Sequence, residues 1–266
     1  INWGRVLPQI VYYISAYCDL LAQGAVTEGE PVNFCVPTGN FGNILSAFYA
    51  KEMGLPIGRL LCASNSNNVL TDFIATGKYD RNRPFYNTVS PSMDILISSN
   101  LERLLYLLSG GDDKLVAGYM KELSDTGCYQ VSEEMRKKIQ SVFVGGFSSE
   151  EETEATIGKM MDEHKYLIDT HTAVAFHVLE QYRKDTGDQT KTVVASTASP
   201  FKFCDAVLDA LNVTEKATGT ALLDQLADVS GMPAPQPLAT LKDKTVRFTS
   251  WTEKEQMRTV VTDFLK

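Results

Sequence analysis

Three short apolar runs, Val32–Val36, Arg59–Ala63 and Thr192–Ala195, alternate with longer stretches whose apolar residues recur every three or four positions. The runs have the length of buried strands and the longer stretches have the period of helices. The pattern predicts a strand over Val32–Pro37 and a mostly buried helix over Val6–Leu21, with Pro8 near its start, where proline is tolerated. It predicts further helices over Ile44–Met53, closed by Gly54, and over Asn68–Thr76, stopped by Gly77. Ser98–Ser109 places Leu101, Leu104, Leu105 and Leu108 on one face, with Ser98 as its N-cap. Helical patterns dominate from Asp112 to His164, broken at Thr126-Gly127 and Gly145-Gly146. They return at Thr172–Tyr182, Phe201–Leu211, Thr214–Leu226 and Thr252–Phe264. Lys78–Pro91 and the proline-rich Gly231–Pro237 read as loops. Strands alternating with helices indicate an α/β fold with a mostly parallel sheet flanked by helices. Ligands of such sheets sit beyond the carboxyl ends of the strands.

Length and charge narrow this little. A chain of 266 residues makes one large domain or two small ones. A net charge of −8 argues against a general nucleic-acid or anionic-membrane surface, though not against a local anion site. There is no run long enough to span a bilayer and no secretory signal pattern. Cys18, Cys35, Cys62, Cys128 and Cys204 are odd in number and without C-x-x-C spacing, as expected of free thiols in a reducing cytoplasm. The opening Ile1-Asn2-Trp3-Gly4-Arg5 runs straight into an apolar helix, which reads as a piece of a longer protein, with a missing amino-terminal part.

The candidate chemistry begins where the first strand ends. Val36-Pro37-Thr38-Gly39-Asn40-Phe41-Gly42-Asn43 is a strand end, a glycine loop and a helix start. That order presents free backbone N–H groups at a helix N-terminus, where phosphate binds. Gly39 and Gly42 permit close backbone approach, and Asn40 and Asn43 bring hydrogen-bonding groups without negative charge. The motif is neither a Walker A loop nor a G-x-G-x-x-G fingerprint. An anion cup and an ordinary turn fit it about equally. The third strand also ends in a small polar loop, Ser196–Ser199, and the fold class makes convergence of the two loops a reasonable expectation. Thr197 alone would read as a helix N-cap before Pro200, Arg5 as a surface charge, and Asp94 with Arg103 as an ion pair or a substrate contact. The run Ser64–Asn68 reads either as a loop capping the next helix or as a pocket wall. His164, His171 and His177 lack zinc spacing, so no metal is assigned.

Five motifs in fixed order carry a resemblance. They are V-P-T-G-N-F-G-N, S-N-S-N-N-V-L-T-D-F-I-A-T-G-K-Y (Ser64–Tyr79), S-P-S-M-D-I with S-S-N-L-E-R (Ser90–Arg103), D-T-H-T-A-V-A (Asp169–Ala175) and S-T-A-S-P-F-K-F (Ser196–Phe203). From Ile1 to about Leu211 the chain resembles the threonine synthases, pyridoxal 5'-phosphate enzymes of the tryptophan-synthase-β-like fold (fold type II). Thr170 departs from the family's usual proline. The resemblance implies a lyase that converts O-phosphohomoserine and water to threonine and phosphate in the cytoplasm. It implies that Gly39, Asn40, Phe41, Gly42 and Asn43 hold the cofactor phosphate and that Thr197 faces the pyridine nitrogen. Asn2 and Arg5 fall at the family's substrate-side N-x-x-R segment. The lysine that binds the cofactor lies upstream in that family; Phe201-Lys202-Phe203 is in the wrong place for it, so the catalytic residues stay unknown. The implied organisation is a helical segment at 1–30 and a large cofactor domain at 31–266, with a helical insertion at about 112–165. Alone, the chain is expected to make no threonine and to hold the cofactor weakly or not at all. The alternatives are another fold type II lyase, such as a serine/threonine dehydratase, or a non-catalytic piece that binds a phosphorylated ligand.

Overall fold

The computed structural model describes residues 3–266. Its centre is a four-stranded parallel sheet of β1 (Val32–Pro37), β2 (Ile57–Ser64), β5 (Phe143–Phe147) and β6 (Thr192–Val194), in the order β5-β2-β1-β6. A separate antiparallel ribbon pairs β3 (Lys78–Asp80) with β4 (Cys128–Gln130). Every residue of β1 is buried, which is why the strand reads as a near-continuous apolar run, interrupted only by Asn33, instead of an alternating one.

Helices cover both faces. On one side pack α1 (Trp3–Ala22), α2 (Gly42–Glu52), α3 (Val69–Thr76) and α6 (Glu133–Val142), sharing a core with Phe34, Val36, Leu60 and Cys62 of the central strands. On the other side α8 (Thr170–Thr186) sets Val174, Ala175, Val178 and Leu179 against Cys35, Leu61 and Ala63. A second layer outside α8 brings α7 (Glu150–His164), α9 (Cys204–Ala210) and α10 (Ala221–Ser230) together around Ile157, Val207, Leu208 and Leu226. Each fully buried Leu or Phe in these layers contributes about 1.5–3 kcal/mol. Between the two small strands lie α4 (Leu101–Leu108) and α5 (Asp113–Thr126). From Leu241 onward every side chain but Thr252 is exposed, including those of the short helix Met257–Phe264.

The strand β5 differs from expectation. Gly145-Gly146 reads as a break in a helical block, yet it forms the middle of an edge strand. A Cβ at Gly145 would lie 2.9 Å from the Thr71 backbone on α3, and one at Gly146 would lie 2.7 Å from Val178 on α8. The glycines are there because helices press on both faces of the strand. Two smaller differences follow the same logic. Lys78–Asp80, expected to be irregular, is a strand because Tyr79 stacks on Tyr129, with ring centroids 5.3 Å apart. The helix expected from Thr214 starts at Ala221.

Candidate functional site

The loop after β1 is fixed before its helix begins. Thr38 N–H donates to the Ala63 carbonyl at 2.8 Å, and its hydroxyl donates to the Val36 carbonyl at 2.7 Å. Phe41 stands at the N-cap of α2 with φ 61°, in the left-handed region that a non-glycine residue rarely adopts. Its ring is buried against Phe143 of β5, centroids 5.5 Å apart, which offsets that conformational cost.

The loop carbonyls are turned outward. Gly39 accepts from the Ser98 hydroxyl and Asn40 from the Asn100 side-chain amide at 2.8 Å, while the Tyr13 hydroxyl lies 3.1 Å from the Asn43 carbonyl. The N–H groups of Gly39 to Asn43 have no acceptor among the described residues. They are the orphan donors of a helix start, and the field of the helix favours an anion there.

Behind Gly39 lies the segment Ser90–Ile95. A Cβ on Gly39 would come within 3.1 Å of the Met93 Cα and the Ser92 carbonyl. That segment is pinned in turn. Asp94 accepts from Asn65 Nδ2 at 2.8 Å, Asn67 Nδ2 at 3.1 Å, and the Thr88 hydroxyl and N–H at 2.7 and 2.9 Å. The polar run Ser64–Asn68 joins β2 to α3 with Asn68 at the N-cap position, as the first reading has it, but without a side-chain cap bond; Asn65 and Asn67 hold Asp94. Asp94 spends its oxygens on these partners instead of on Arg103. Ser98 departs from its expected role as well. It does not cap α4; it fastens the Gly39 carbonyl, while its own N–H donates to the Tyr79 hydroxyl at 2.8 Å. Thus the small β3–β4 ribbon reaches the loop through one tyrosine.

A cavity of about 230 Å³ opens over the loop, walled by Arg5, Gln9, Pro37 to Asn43, Ser92, Met93, His171 and Thr197. Seven of the eight residues singled out in the sequence, Arg5, Gly39, Asn40, Phe41, Gly42, Asn43 and Thr197, meet there. The eighth, Asn2, lies outside the described residues. Thr197 is exposed, and the N-cap before Pro200 is Ser199, so the capping reading of Thr197 falls away. Lys202 lines a different cavity with Phe201 and Phe203, and no lysine lines the loop cavity among the described residues. An adjoining cleft of about 500 Å³ shares Asn43 and Thr197 and is otherwise lined by Tyr12, Tyr13, Ala16, Phe34 and β6 with its following loop.

His171 also forms part of the wall. Its Nε2 accepts from Ser92 N–H at 3.2 Å and its Nδ1 meets Asp169 Oδ1 at 3.1 Å. The two bonds together place the proton on Nδ1. Asp169 also caps α8 through the N–H groups of His171 and Thr172. Burial alone would raise its carboxyl, but the bonds from His171 and Thr172 outweigh that and hold it below the usual range. The signal was the spacing Asp-x-His at a helix start, which puts cap and imidazole on one carboxylate.

Residues 172–261 match the family model described as "Threonine synthase, C-terminal", so the likeness continues past Leu211, where the sequence motifs end. Over 88% of its length the chain is 45% identical to "Threonine synthase-like 1" from Homo sapiens, covering 31% of that protein. Over 80% of its length it is 39% identical to "Threonine synthase" from Saccharomyces cerevisiae, covering 43% of it. Among solved structures, all of the chain superposes on 51% of a threonine synthase from Brucella melitensis whose title states that it is PLP bound, with TM-score 0.82 and 36% identity. It also superposes on 53% of the yeast threonine synthase, with TM-score 0.84 and 33% identity. The chain spans about a third to a half of the length of the curated relatives it matches.

Proposed function

From this likeness to the threonine synthases in both sequence and fold, we propose that the protein carrying this chain is a pyridoxal-phosphate-dependent lyase that releases phosphate from O-phosphohomoserine and makes threonine. The observation that carries the reading is the meeting of the glycine loop and Thr197 at one cavity. The residues present fit the cofactor. Five backbone N–H groups from Gly39 to Asn43 have no acceptor among the described residues, and the Ser90–Ile95 segment packed behind Gly39 leaves no room there for a side chain. When bound, the cofactor supplies an electron sink that stabilises carbanion character on the substrate.

In this reading the chain contributes grip and orientation. Gly39, Asn40, Phe41, Gly42 and Asn43 hold the cofactor phosphate through their N–H groups, aided by the dipole of α2. Thr197 offers a neutral hydroxyl to the ring nitrogen. A hydroxyl, unlike a carboxylate, leaves that nitrogen unprotonated, so groups around the reacting carbons must do more. Arg5 offers a planar donor fork to the substrate phosphate, with Asn2 beside it. His171 sets the wall by holding Ser92 in place. The lysine that binds the cofactor comes from an upstream segment of the same polypeptide, and the 266-residue chain by itself makes no threonine.

The test is the full-length protein supplied with pyridoxal phosphate and O-phosphohomoserine. Equal amounts of phosphate and threonine are expected; a folded, cofactor-loaded protein that releases no phosphate overturns the reading.

A further inference from the structure

Tyr13 of α1 touches the loop through a single oxygen. Its hydroxyl lies 2.5 Å from Asn43 Oδ1 and 3.1 Å from the Asn43 carbonyl. The tyrosine is itself fixed: its ring is buried and meets Phe34 edge-on, centroids 5.1 Å apart. A phenol carries one proton, and here the nearer acceptor is the side-chain oxygen. With Oδ1 turned to Tyr13, the Asn43 Nδ2 is turned away from it. No acceptor takes that nitrogen among the described residues, and Asn43 lines both the loop cavity and the adjoining cleft.

We propose that Tyr13 is a positioning residue for the anion loop: by donating to Asn43 Oδ1 it aims the Asn43 Nδ2 at the bound phosphate. The inference rests on the reading of the loop as the cofactor-phosphate site. The opposite amide orientation would present an oxygen to the phosphate, and two acceptors facing each other repel. The 2.5 Å separation from the Tyr13 hydroxyl fits an O–H···O bond and is too short for an N–H···O bond, so the hydroxyl selects the orientation with Oδ1 toward it. Without it the amide rotates freely, and the phosphate loses one oriented donor while keeping its backbone donors.

Tyr13→Phe keeps the ring and its packing on Phe34, so it removes the aim without hollowing the core. The full-length protein is titrated with pyridoxal 5'-phosphate and, separately, with pyridoxal, which lacks the phosphate, for Tyr13→Phe, Asn43→Ala and the double variant. Loss of one hydrogen bond to a charged group predicts that Tyr13→Phe binds pyridoxal phosphate about ten- to a hundredfold more weakly. Affinity for pyridoxal should stay within about twofold, a selectivity that a merely structural role would not produce. In the Asn43→Ala background the second substitution should add nothing, because Tyr13 acts through Asn43. Unchanged affinity for pyridoxal phosphate in Tyr13→Phe, or an equal loss for both ligands, overturns the inference alone. If the unaltered protein binds pyridoxal as tightly as pyridoxal phosphate, the anion-loop reading fails, and the inference with it.

Discussion

The loops that follow β1 and β6 sit side by side at the carboxyl end of one sheet, yet they are built to different standards. The β1 loop leaves a strand buried on both sides; its carbonyls are held by Ser98 and Asn100 from the turn before α4, and Asn43 is held by Tyr13 of α1. The β6 loop leaves a half-buried edge strand, and Ser196 and Thr197 are exposed. Its fastenings are few: the Thr172 hydroxyl reaches Ser196 at 3.2 Å, and Ser199 caps the short turn after it. One wall of the cavity is therefore finished within this chain, while the wall that carries Thr197 lies on an open edge. In the proposed reading, the rigid side would hold the anionic end of a ligand and the looser side its other end.

That contrast can be broken by substitution. Gly39→Ala has the largest expected effect. Its Cβ would press on the backbone of Ser92 and Met93, which the Asp94 cluster and His171 keep from yielding. Overpacking of this kind costs about 1–3 kcal/mol, and the displaced loop should abolish binding of pyridoxal phosphate; urea unfolding and a cofactor titration check both. Next comes Asn100→Ala, which removes the stronger of two donors to the Asn40 carbonyl. A loss of about 1–2 kcal/mol is expected, with weaker phosphate binding. A variant that binds as tightly as the parent would show that the outward-turned carbonyls do not shape the cup.

A third prediction sharpens the β6 side through pH. Asp188, just before β6, accepts from the Thr190 hydroxyl and N–H at 2.6 and 2.9 Å, the Tyr182 hydroxyl at 2.7 Å and Asn33 Nδ2 at 2.9 Å. These bonds, those of Thr190 first, hold its carboxyl well below the ordinary value of 3.8. A depressed carboxylate stabilises the fold above its unfolded value, and that contribution disappears as pH falls from there through the folded value. Asp188→Asn should therefore cost about 1 kcal/mol at pH 6 and progressively less below about pH 4, read from denaturation midpoints across that range. The smallest effect is expected at Thr197→Ala. An exposed side chain of this kind changes stability by less than about 0.5 kcal/mol, so any change in the cofactor's absorbance spectrum would report the ring contact and not the fold.

Much of this contrast was legible in the sequence, and unequally. β1, α2 and the loop between them stand out because a two-sided strand, paired glycines and a helical period coincide within Val32–Met53. The convergence with Thr197 followed from the rule that parallel sheets gather ligand loops at one end. What escaped was whatever depends on partners far along the chain. Ser98 has the form of an N-cap, but its hydroxyl is claimed by Gly39, 59 positions away in sequence. Asp94 and Arg103 have opposite charges, but Asn65, Asn67 and Thr88 reach Asp94. Gly145-Gly146 has the composition of a break, and only the helices above and below reveal why a strand there must lack side chains.

The left-handed backbone of Phe41 has a consequence for timing. Its ring is wedged in the core against Phe143, while its own carbonyl receives the N–H of Leu45 in the first turn of α2. The loop cannot swing open without drawing that ring out of the interior, and doing so would unravel the start of the helix. The Leu45 amide proton, bonded to the Phe41 carbonyl, should therefore exchange only as the loop and the helix start come apart, far more slowly than the unbonded N–H groups that face the cavity. A glycine-rich segment, which by composition should be among the fastest-moving parts of the chain, would then open no faster than the start of its helix.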